Sequence, residues 1–296
     1  MKHEIRLQKA PSLLSLYTRA LLKRGNPSAT PKTLPTLVLS TCVNSSKLSK
    51  YNSTCQITPK ENILPPFYPQ VLAFKLHLEL LLNKQLPFAV MGLVHRSNKV
   101  EYFTPIFASD TLDIKVSLNE YSKINKGINC TLLTEVYVKG QLKWQAQSTY
   151  FYRQSKPTRF SNKATNKART IPNSTHHATW SLAANLGRQY ARVTGDLNPI
   201  HLFSLSAKLF GFKQTILHGM CMAAKATAQS QSDDYEFPFN INIVFNKPVY
   251  LPSTVGYIQN QDGFGIYPKH DKNIVASPLL SGQFETNMSF KDSNVL

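Results

Sequence analysis

Apolar and polar side chains alternate along much of this chain. Leu112-Asp113-Ile114-Lys115-Val116 repeats every two residues, the period of a strand with one face buried. Runs of strand character fall at 89–96, 110–120, 128–138 and 142–153, and again at 240–246, 253–259, 263–268 and 276–284. Each group follows a segment that reads as a helix. In the first half it is the apolar run 68–82, opened by Pro69; in the second it is 218–229, opened by Gly219. Helix first and strands later predicts α+β architecture, with an antiparallel sheet wrapped around a helix.

The two groups share an order, which points to an internal repeat. The segment 86–116 resembles 237–258, so that Phe88 matches Phe239 and Thr111 matches Thr254 after an insertion in the first copy. Further upstream, Tyr51 occupies the place of Tyr190. A duplicated unit accounts for this order, and a long helix lying on a curved sheet is the hotdog arrangement.

Composition narrows the picture. Apolar residues make up 42% of 296 residues, enough for a sizeable core, and no run of about 18 apolar residues predicts a membrane span. The first 25 residues interleave charge with apolar side chains, a poor secretory signal. Cys42, Cys55, Cys130 and Cys221 are scattered without paired spacing, which argues against zinc and against a disulfide framework. A reducing, cytoplasmic setting is expected.

The net charge of +18 is concentrated in two places: residues 1–60 carry +9 and residues 151–180 carry +6. Two readings stand, a surface that attracts a polyanion or segments kept soluble by charge. No helix-turn-helix, zinc-finger or RNA-binding signature accompanies the charge, so nucleic acid is not expected. The expected organisation is a basic N-terminal arm at 1–32, a hotdog repeat at 33–152, a basic linker at 153–173 and a second hotdog at 174–296.

Candidate chemistry is concentrated in "YARVTGDLNPIH", residues 190–201. Gly195 before Asp196 and Asn198-Pro199 after it mark a tight backbone that holds Asp196 and His201 five residues apart. Those two side-chain types move protons near neutral pH. Tyr190, Thr194, Gly195, Asp196, Asn198, Pro199, His201 and Ala207 resemble the hydratase 2 signature of the MaoC-like dehydratases and (R)-specific enoyl-CoA hydratases. The segment 211–220 also resembles that family, with Gly219 placed 18 positions after His201.

The resemblance implies a double hotdog. It implies reversible hydration of trans-2-enoyl thioesters, or dehydration of (R)-3-hydroxyacyl thioesters, on CoA or acyl carrier protein. Asp196 and His201 become the catalytic pair, Asn198 an orienting residue and Gly195 and Pro199 shapers of the loop. The Gly219 N–H, at a helix N-terminus, becomes the donor to the thioester oxygen. No cofactor or metal is implied, and the expected assembly is a monomeric pseudo-dimer or a homodimer.

Where the family often has an Asp soon after the His, this chain has Leu202-Phe203-Ser204, and Ser204 is expected to cap the next helix. His218 is expected to be a structural neighbour of Gly219, and Met220 and Met222 to pack the helix. Cys221 is expected to be inert and His95 to lack partners. Trp144 and Trp180 read as core or rim. The first repeat has no Asp/His motif after Tyr51 and is expected to be non-catalytic, opened into space for an acyl chain or kept as scaffold. The alternatives to hydration are a non-catalytic acyl-thioester-binding protein and, less favoured, a hotdog thioesterase.

Overall fold

The computed structural model describes residues 3–26, 29–31, 33–154, 176–230, 237–269 and 277–285. Beyond Arg153 and Gln154, the expected linker at 153–173 lies outside them.

The first half contains β1 (Glu4–Leu7), α1 (Leu13–Leu22), β2 (Thr36–Cys42), α2 (Ser45–Cys55) and α3 (Tyr68–Leu81). It continues with β3 (Leu93–Tyr102), β4 (Thr111–Ile124), β5 (Gly127–Val138) and β6 (Gln141–Arg153). The second half contains β7 (His176–Leu182), α4 (Leu186–Thr194), α5 (Ser204–Leu209) and α6 (Gly219–Ser230). It closes with β8 (Phe239–Phe245), β9 (Ser253–Asn260), β10 (Gly263–Pro268) and β11 (Leu280–Phe284).

Alternation settles which face of each strand is buried. Leu112, Ile114 and Val116 of β4 are fully buried, while Asp113 and Lys115 point the other way. β5 repeats the pattern with Ile128, Cys130 and Leu132 inward. α3 starts with Pro69, whose missing N–H costs nothing in the first turn. Its apolar residues run almost all round, so it is held against β4 and β5 as a core helix. α6 lies against β10 and β11 in the second half.

All eleven strands join one sheet in the order β1-β2-β4-β5-β6-β3-β8-β11-β10-β9-β7. Read outward from the centre, β3-β6-β5-β4-β2 mirrors β8-β11-β10-β9-β7, as a duplicated unit requires. The halves meet where β3 pairs with β8, from Ser97↔Val244 to Tyr102↔Phe239. The same backbone link recurs in each half: Leu64 N–H donates to Ile106 O, and Leu217 N–H to Val249 O, both at 2.8 Å. This is a double hotdog, each unit a helix wrapped by an antiparallel sheet.

Thr111 opens β4 and Thr254 lies at the start of β9, so that match is in register. Phe88 lies in the connection between α3 and β3, whereas Phe239 opens β8, and that match does not hold. Extra residues in the first half's helix-to-strand connection shift the register there. Tyr51 of α2 and Tyr190 of α4 pack with ring centroids 6.1 Å apart, where the two halves' helices meet.

The N-terminal residues expected to form an arm belong to the fold. β1 adds a parallel strand to β2, and Leu16 and Ala20 of α1 are buried. The charges mislead because they lie on the outward face: Arg19 pairs with Glu79 of α3 through two hydrogen bonds of 2.7 and 2.8 Å. Among the described residues, no helix is long and apolar enough to cross a membrane.

Candidate active site

The loop from α4 to α5 is built from turn chemistry. α4 stops at Gly195, which caps it with φ +82°, a conformation that glycine adopts without steric cost. A side chain there would also collide with Leu13 of α1. Pro199–His201 then form a short 3-10 turn, with Asn198 as its cap: the Asn198 side chain accepts from Ile200 N–H at 3.4 Å. Pro199 O accepts a hydrogen bond of 2.7 Å from Ser206 Oγ. Asn198, expected to orient His201, caps this turn, and the His201 ring is held by another group. His201 Nδ1 lies 2.9 Å from Ile216 O. A carbonyl only accepts, so Nδ1 carries the proton and Nε2 keeps its lone pair in the neutral ring.

Asp196 is held from one side. Its Oδ1 accepts from Asn198 N–H at 3.3 Å and lies 3.4 Å from the Tyr17 hydroxyl, whereas Oδ2 lies 3.8 Å from His218 Nε2. His218, expected as a structural neighbour of Gly219, also meets Asp196 and His201. Its ring stacks on His201 with centroids 3.7 Å apart, and its Nε2 donates to Asp196 O at 3.0 Å. Burial pushes both histidines below the usual range, so both rings are neutral near pH 7; the Asp196 charge pulls His201 partly back.

One nitrogen of each ring and a carboxylate oxygen of Asp196 lie within 4.8 Å of one another, close enough to raise the question of a metal. The rings are stacked at an interplanar angle of 25°. Imidazole lone pairs lie in the ring plane, so two nearly parallel rings do not aim them at a common ion.

These groups line a cavity of about 290 Å³ that lies between the halves of the chain. Gly219, the first residue of α6, borders it, and the N–H groups of a helix's first turn have no intrahelical partner. The backbone reaches the wall here because Gly219 has no Cβ, which would collide with the Phe245 ring. The first half supplies an apolar stretch of wall, Val71, Phe74, Leu78 and Leu81 of α3 with Val90, Met91 and Leu93, beside the polar Gln70, His77, His95 and Tyr150. Met220 and Met222 also border the cavity, in addition to packing α6.

Several cavity residues carry no sequence signal of their own. His95 stacks on Tyr150 with centroids 4.8 Å apart and lies 4.9 Å from Phe245, so its partners come from strands distant in sequence. His77 is buried, with Nε2 2.6 Å from Thr134 Oγ1 and Nδ1 3.0 Å from the Tyr150 hydroxyl. Tyr17 reaches the loop from α1. Only the amphipathic spacing of Leu13, Leu16 and Ala20 hints that its segment folds against the rest.

Ser204 does not cap α5: it is the helix's first residue and its hydroxyl meets Thr215 Oγ1 at 3.1 Å. Cys221 is buried, its sulfur 4.0 Å from that of Cys55. Trp144 is fully buried and donates to Pro66 O, and Trp180 stacks on Tyr257, so both belong to the core.

Residues 164–275 match the model of the MaoC like domain. The chain is 32% identical over 206 residues to 3-hydroxyacyl-thioester dehydratase X of Mycobacterium tuberculosis, covering 68% of this chain and 72% of that protein. It also resembles the crystal structure of HtdX from that organism, with a TM-score of 0.71, 25% identity, and coverage of 84% and 98%. A conserved M. tuberculosis protein described as a double hotdog matches with a TM-score of 0.52 and 12% identity, covering 90% and 96%.

Proposed function

The chain belongs to the family of MaoC-like dehydratases, and from that premise we propose that it is a hydro-lyase interconverting trans-2-enoyl and (R)-3-hydroxyacyl thioesters, carried on CoA or acyl carrier protein. The observation that carries this reading is convergence. Asp196, His201 and Gly219 border one cavity that α3 lines with apolar side chains.

In the hydration direction, a water held by Asp196 Oδ2 and His201 Nε2 attacks Cβ of the enoyl group. The pair takes one proton from it and a proton is delivered to Cα, so water adds across the double bond with nothing oxidised or reduced. Negative charge that grows on the thioester oxygen meets the Gly219 N–H and the positive end of α6. Fixing His201 Nδ1–H on Ile216 O leaves Nε2 as the free, proton-accepting nitrogen. The acyl chain lies against α3. On this reading the first repeat shapes the cavity and the second does the proton chemistry.

Incubation with crotonyl-CoA tests the assignment when loss of the enoyl absorbance is followed together with release of free thiol. A hydro-lyase loses absorbance without thiol. Thiol release identifies a thioesterase, and no change in either signal leaves a binding protein.

A further inference from the structure

We propose that Tyr17, on the N-terminal helix α1, is a positioning residue for hydration, holding Asp196 in its working orientation from outside the second repeat. The inference rests on the assignment of Asp196 as the base.

Its geometry is specific. Leu197 N–H donates to the Tyr17 hydroxyl at 2.6 Å. The hydroxyl's own proton has two acceptors in reach, Gly195 O at 3.2 Å and Asp196 Oδ1 at 3.4 Å. One side chain thus touches three consecutive residues of the loop. Together with Asn198 N–H, it engages Oδ1 and leaves Oδ2 as the oxygen turned toward the histidines. A carboxylate that rotated freely about its last bond would present either oxygen to the water, so fixing one defines the other as the base.

The helix that carries Tyr17 is itself anchored. Leu16 is fully buried, Arg19 grips Glu79 of α3, and Lys23 Nζ donates to Leu81 O at 2.7 Å and Asn83 O at 3.0 Å. Leu13, one turn before Tyr17, packs where a Gly195 side chain would otherwise stand. α1 therefore splints the loop of the second repeat to the helix that walls the cavity in the first. Tyr17 also borders the cavity, and its burial, followed by the Asp196 charge, keeps the phenol protonated as a donor.

The test compares Tyr17→Phe, Leu13→Ala and Asp196→Asn with the wild type on crotonyl-CoA, with melting temperatures for all four. Tyr17→Phe keeps the ring and its packing. It is expected to lower kcat about tenfold while KM stays within about twofold, because a misplaced base weakens the transition state more than binding. Its melting temperature should stay near that of the wild type.

Wild-type kcat in Tyr17→Phe alongside an inactive Asp196→Asn overturns the role of Tyr17 and spares the assignment of the base. So does a loss seen with Leu13→Ala but not with Tyr17→Phe, which makes α1 a packing element only. A fall in melting temperature with kcat and KM worsening together in Tyr17→Phe also counts against it. Full turnover by Asp196→Asn overturns the proposed function itself, and with it the role assigned to Tyr17.

Discussion

At the scale of single residues, the proposed chemistry rests on groups that are local in sequence, with support that is not. Asp196, His201 and Gly219 were legible because a tight loop and the helix that follows it place them within 24 residues. Other groups at the cavity come from elsewhere: Tyr17, which meets Asp196, from α1, and His95 and Tyr150, which line the same cavity, from β3 and β6. No spacing rule reaches across such separations, which is why His95 looked isolated. Asn198 reads as an orienting residue in sequence and acts as a cap in the fold, because a capping side chain and an orienting one look alike in sequence. Asp196→Asn and His201→Ala should each slow hydration by about a hundredfold or more with the fold retained, each removing a proton-transfer role. The double variant should be little slower than either single one, because the two act as a unit. Steady-state rates on crotonyl-CoA check both statements, and additive losses would show that the residues act independently.

At the scale of elements, the strands of strict alternation were legible and the N-terminal elements were not. β4 and β5 announce themselves because one face is buried and the other is not. α1 was obscured because its two buried residues, Leu16 and Ala20, stand among exposed Leu14, Leu21 and Leu22 and a run of basic residues. α3 was legible as a helix, and the structure adds that it walls the cavity. Filling that wall should shorten the acyl group accepted. Val71→Phe and Phe74→Trp are expected to cut kcat/KM for long enoyl thioesters by about tenfold or more, while crotonyl-CoA stays within about threefold. Rates measured across a series of chain lengths decide the point, and an unchanged profile in both variants would leave α3 as scaffold.

The whole molecule buries titratable groups in its interior, and that makes its stability depend on pH. Burial pushes His77 down to about 3, with His95 nearby adding to the shift; Gln70, Thr134 and Tyr150 surround the ring without a countercharge. The unfolded chain takes up a proton below about pH 6.5, whereas the folded one does not. The contribution of this group is therefore complete above about pH 6.5 and falls by about 1.4 kcal/mol per pH unit as the pH drops toward 3. Urea midpoints at pH 7.5 and pH 5 should differ less in His77→Gln than in the wild type, whatever the variant's absolute stability. An equal difference in both would show that other groups set the acid limit.

The strand pair β3·β8 also has a consequence for how the protein behaves at low concentration. Two separate hotdog subunits facing each other across such a seam drift apart on dilution, and a cavity shared between them goes with them. Here the wall of α3 and the loop of Asp196 are tethered in one chain, so their encounter is intramolecular and its effective concentration does not depend on how much protein is present. Turnover per molecule should therefore stay level from micromolar down to nanomolar enzyme. A progressive loss in a dilution series would mean that a second copy of the chain completes the working site.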